Sequence, residues 1–235
     1  MIFTIAAREL RSLFLSPLAW AMLAVMQFIL GLIFAKGIDV FLAAGAQAQT
    51  EYGITRVIIE TLYFWTSIIV MIVIPLLTMR VFSEEKRNAT FPLLMSAPIS
   101  LTEIAMGKYL ALLGFNSIFL SLVTTMPMTV LIGGGLDFGQ LAAATTGLFL
   151  IMAAYTALGL YISSLTKSPV LAAVLTYLAI IFLFIIDLLA TNNNPTGLFS
   201  YISLRTHLVN FLQGLFSTKD AVSYTHLTLP TKRIV

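Results

Sequence analysis

The chain has 235 residues, 59% of them hydrophobic and 10% charged, with a mean hydropathy of +0.99; soluble domains carry about 25% charged residues, so a water-soluble globular protein is excluded. Thirteen Lys and Arg against ten Asp and Glu leave a net charge of +3, so the pI near 9.2 reflects a slight imbalance and points to no nucleic-acid partner. The absence of cysteine removes disulfide frameworks, thiolate metal sites and a cysteine nucleophile. In chain order, residues 1–16 come first as an amphipathic segment. Arg8, Glu9 and Arg11 stand beside Phe3, Ile5, Leu10 and Phe14, a pattern suited to lying in the membrane interface; a simple positive anchor would use the same residues.

Five charge-free runs follow, at residues 12–35, 61–79, 109–136, 138–166 and 168–186. An ionised group at the bilayer centre costs roughly 2.5 to 3.5 kcal/mol, and roughly 18 apolar residues cross the hydrocarbon as a helix, so each run is expected to span. No small-residue cleavage pattern follows the first run, which argues against a signal peptide. Ser16-Pro17 and Ser168-Pro169 each place a cap residue before a first-turn proline, and should start the first and fifth helices. Ser100 to Glu103 has capping-box spacing, so the third helix should begin near Leu101. Gly133-Gly134-Gly135 and then Asp137 predict a short hairpin between the third and fourth spans. The expected fold is therefore an all-α polytopic transmembrane helical bundle.

With the N-terminus inside, Arg8, Arg11, Arg80, Lys86, Arg87, Lys108 and Lys167 face the cytoplasm, while Lys36, Arg56, Arg205 and Lys219 lie outside. Positive charge in short loops favours the inner side, so this orientation is expected. Pro75 and Pro127 fall inside spans, where packing can tolerate them or a hinge can use them. Tyr63 and Trp65 at the start of the second span, and Trp20 near the start of the first, read as members of aromatic belts.

Residues 17–189 thus make a membrane domain, with a cytoplasmic loop at 80–103 and an outer loop at 190–221. In that outer loop Tyr201, Arg205 and His207 are either solvated or available to a periplasmic auxiliary protein. The tail 222–235, with Tyr224, His226, Pro230 and Lys232, resembles the translation of a sequencing-library transposon adaptor. On that reading a sixth span followed about Ala221; a short external tail is the alternative.

No span carries a central Asp, Glu, Lys, Arg or His, whereas ion-coupled transporters use intramembrane ionisable groups as relays or ligands. The phosphate-binding Gly-x-x-x-x-Gly-Lys-Ser/Thr pattern is also lacking, so any ATP must be bound by another polypeptide and no cofactor is expected here. An intramembrane enzyme lacks material. The histidines are His207 and His226, and Asp187 stands alone at the outer end of the fifth span.

The loop at 80–103 is the most informative segment. Glu84-Glu85-Lys86-Arg87 is followed by Leu93-Leu94-Met95 between Pro92 and Pro98, a spacing that permits a short amphipathic helix able to dock in a groove. A solvated topology-fixing loop would need no partner. Glu84-Glu85-Lys86-Arg87, Thr90, Leu93-Leu94, Pro98 and Gly107-Lys108, in this order between spans two and three, resemble the signature of type-2 ABC transporter permeases. The likeness is closest to the gliding-motility-associated and nitrous-oxide-reductase-maturation permeases, and it runs from Met1 to about Ala221. Two positions depart from the pattern: Ala89 stands where the family commonly has Gly, and Pro92 where it commonly has Glu.

The resemblance implies that this loop is a coupling helix resting on a separate ATP-binding ABC subunit. Glu84, Glu85, Lys86 and Arg87 would then be polar contacts, with Leu93 and Leu94 as anchors. It further implies a homodimer or a heterodimer with a second permease in the bacterial inner membrane. A structural membrane anchor that moves nothing shares these features except ATP-driven motion.

Overall fold

The computed structural model describes residues 1–43, 53–89, 99–132 and 137–193, and these form helices and turns without a strand. α1 (Ile2–Leu15) and α2 (Pro17–Ala43) are divided by Ser16, whose extended backbone (φ −80°, ψ 126°) ends the first helix. Pro17 then occupies the position where a missing N–H forfeits no hydrogen bond. Next come α3 (Gly53–Thr78), the short α4 (Ser83–Arg87), α5 (Leu101–Met128) with a 3-10 turn at Thr129–Ile132, α6 (Phe138–Leu165) and α7 (Pro169–Asn193).

The predicted starts at Pro17, Leu101 and Pro169 are those observed. The Ser100 hydroxyl accepts the Glu103 N–H at 3.2 Å, and the Glu103 carboxylate accepts the Ser100 N–H at 3.1 Å, a complete capping box. Asp137 is more than a loop residue, because its Oδ1 accepts the Gly139 and Gln140 N–H groups at 2.8 and 3.2 Å and so caps α6. Gly133, Gly134 and Gly135 lie outside the described residues. α2 and α3 extend beyond the charge-free runs, taking in Lys36 and Asp39 at one end and Glu60 at the other. The runs mark the hydrocarbon thickness, whereas the helical hydrogen-bond ladder continues into the headgroup region.

α2, α3, α5 and α6 are each long and apolar enough to cross a bilayer, and α7 contributes an apolar stretch, Pro169–Ile185. The protein is an all-α polytopic membrane bundle. α6 sits at its centre against α3, α5 and α7, while α2 packs on α3 and α5. The central place follows from its residues. Ala143, Ala144, Gly147, Ala153, Ala154, Ala157 and Gly159 are buried on several sides of the helix, and small side chains let backbones approach where lipid offers no hydrophobic drive. α2 instead buries one stripe, Ala19, Leu23, Met26 and Leu30, and turns Trp20, Phe28 and Leu32 outward.

Buried polar side chains pair across helices. Tyr63 is fully buried, and its hydroxyl lies 2.8 Å from Thr145 Oγ1 and 3.2 Å from Thr124 Oγ1, joining α3, α6 and α5. This corrects its assignment to an aromatic belt: hydroxyl partners on two neighbouring helices draw the ring inward. Trp65 and Trp20 are exposed as expected, with Trp20 Nε1 donating to the Phe14 carbonyl at 2.8 Å. Asn116 Nδ2 donates to Thr156 Oγ1 at 2.9 Å between α5 and α6, with both residues buried.

Candidate functional site

The loop that follows α3 begins at the end of the bundle that carries α1. Its first residues are held by Ser163 near the end of α6. The buried Ser163 hydroxyl accepts the Phe82 and Ser83 N–H groups at 3.2 and 3.3 Å and donates to the Met79 carbonyl at 3.2 Å. One donor and two acceptor sites exhaust what a serine hydroxyl offers, so the turn is fastened where backbone groups would otherwise be buried unsatisfied. Ser83 adds a hydrogen bond to the Met79 carbonyl.

α4 consists of Ser83-Glu84-Glu85-Lys86-Arg87, with its acids in the first turn and its bases in the last, the sense favoured by the helix dipole. The four charges divide by direction. Glu84 and Arg87 are exposed, whereas Glu85 and Lys86 are half-buried and turned toward the bundle. Lys86 Nζ donates to the Ser164 carbonyl at the end of α6. Glu85 Oε1 meets Lys108 Nζ at 2.7 Å.

Lys108, in the second turn of α5, is 3% exposed. Its ammonium also donates to Glu9 Oε1 on α1 at 3.3 Å and to the Val81 carbonyl at 3.3 Å, and it lies 5.4 Å from the centre of the Phe82 ring. Two carboxylates, a carbonyl and an aromatic face surround the buried amino group and stand in for the water it gives up. The contact between α1 and α5 depends on the preceding residue. A Cβ at Gly107 would come within 2.7 Å of Ile5 Cγ2 and 2.8 Å of Ile5 Cβ, so hydrogen alone lets α1 lie this close. One further contact, Leu10 over Gly114, continues the seam.

α4 ends at Asn88, whose N–H donates to the Glu84 carbonyl at 2.9 Å, and Ala89 then takes a left-handed backbone with φ 53°. Glycine, which the resemblance to type-2 permeases leads one to expect at this position, enters that region without a Cβ clash. Of the six residues read as candidate contacts, Glu84, Glu85, Lys86 and Arg87 are thus brought into one short helix. Leu93 and Leu94 lie outside the described residues, as do Thr90, Pro92 and Pro98.

Sequence reasoning missed Glu9, Lys108 and Ser163 as members of this cluster. Lys108 stands in the quoted Gly-Lys pair, but a lysine just ahead of an apolar run reads as a topology signal. Ser163 carries no local signal at all. As arranged, the site is a charged turn fixed by its base to α1, α5 and α6, with Glu84 and Arg87 on its outer side. A family model described as ABC-2 family transporter protein matches residues 3–226. No curated protein matches the chain.

Proposed function

The chain belongs to the ABC-2 family of transporter proteins, and from that premise we propose that it is the permease subunit of an ATP-driven transporter, with the loop at 80–103 as the element its ATPase subunit moves. The observation that carries this reading is the division of charge on α4: Glu85 and Lys86 bind the bundle, leaving Glu84 and Arg87 to a partner surface. A solvated connection would need no such fastening. The given sequence carries no phosphate-binding loop, which supports assigning ATP to the partner. In this proposal α4 faces the cytoplasm of a bacterial cell and two permease halves, identical or similar, enclose the path. The spacing of the loop motif supports the narrower kinship with gliding-motility and nitrous-oxide-maturation permeases.

The test is co-purification with a co-expressed ATPase subunit. Glu84→Lys, which changes an exposed side chain and leaves the Glu84 carbonyl bond to Asn88 in place, is expected to reduce recovery of the ATPase at least severalfold while leaving the permease folded. Full recovery would overturn the assignment of α4 as the contact. If the ATPase binds but nucleotide produces no change in the membrane helices, the protein is an anchor instead.

A further inference from the structure

We propose that Lys108 is a positioning residue that ties α1 to α4, so that displacement of the turn moves the N-terminal helix as well as the spans. The inference rests on the coupling reading above. Its grounds are geometric. One ammonium on α5 is shared by Glu9 on α1 and by Glu85 on α4 together with the carbonyl of Val81 in the turn just before it, so three segments of the chain meet at Lys108. The neighbouring Gly107 removes the side chain that would hold α1 away.

A nearly inaccessible ammonium that parts from a carboxylate finds no water to replace it, so the three groups should shift together. α1 is suited to follow. Its inner side meets α5 through Ile5 and Leu10, while Phe3, Arg8 and Arg11 face outward. It joins α2 through the single extended residue Ser16, so a tilt of α1 acts directly on the start of a span. Gly107-Lys108 then has a joint purpose: the glycine admits the helix and the lysine binds it.

The chain has no cysteine, so spin labels can be placed at Arg11→Cys on α1 and Leu165→Cys at the end of α6, both exposed. The permease is reconstituted with its ATPase subunit, and the distance distribution is compared without nucleotide and with ATP plus vanadate. The otherwise unaltered chain should show a nucleotide-dependent shift. Lys108→Met should abolish it with the ATPase still bound, and Lys108→Arg should restore at least part of it, which a merely space-filling role would not do.

Should Lys108→Met fail to fold, Glu9→Gln serves, because it leaves the Lys108–Glu85 pair in place and removes only the α1 arm. A shift of undiminished size in Lys108→Met or Glu9→Gln, or no shift in the parent complex with the ATPase bound, overturns the inference. Failure of the ATPase to associate with the parent chain instead defeats the coupling reading on which it stands.

Discussion

Ala89 shows how much one residue can reveal. Its φ of 53° lies where an L-residue is strained by roughly 1 to 2 kcal/mol, whereas glycine is at ease there. Ala89→Gly should therefore stabilise the protein by about 1 kcal/mol, after allowing for the greater freedom glycine gives the unfolded chain; a lowered unfolding midpoint in detergent would refute this. The resemblance read from the sequence leads one to expect glycine here, but the strain on alanine is legible only in the structure, because the backbone angle is set by how α4 ends. Lys108 makes the complementary point. A lysine beside an apolar run is ambiguous in one dimension, and its burial follows only from Glu9 and Glu85 arriving from both sides.

Among the elements, the glycines differ in ways that the letters conceal. A Cβ at Gly159 on α6 would lie 2.7 Å from Thr78 Cβ on α3, while one at Gly37 on α2 meets nothing within 4 Å. Gly159→Ala should thus destabilise the bundle by about 1 to 3 kcal/mol through overpacking. Gly37→Ala should be neutral or gain up to about 1 kcal/mol from helix propensity. Equal effects in SDS-titrated unfolding would show that the α3–α6 seam is looser than described. Helix starts were legible because caps are local: Ser16-Pro17, Ser100 with Glu103, and Ser168-Pro169 act within a few residues. Helix ends were less so, since a charge marks the edge of the hydrocarbon rather than the last helical turn.

At the scale of the molecule, the inside bias of Lys and Arg supports the proposal that α4 faces the cytoplasm and the start of α6 the far side. In the cysteine-free chain, Phe138→Cys should react with a membrane-impermeant maleimide on intact cells, whereas Glu84→Cys should react only after permeabilisation. Reversed labelling would invert the topology and with it the proposed partner. Composition and charge-free runs by themselves determined an all-α membrane protein and the order of its helices, because the cost of burying charge in lipid is paid residue by residue and so is written locally. The tertiary structure alone decided that α6 is central, that Tyr63 points inward, and that Glu85 and Lys86 bind the bundle while Glu84 and Arg87 face away. Those outcomes depend on which side chains meet across helices, a matter of three-dimensional packing that no spacing along the chain encodes.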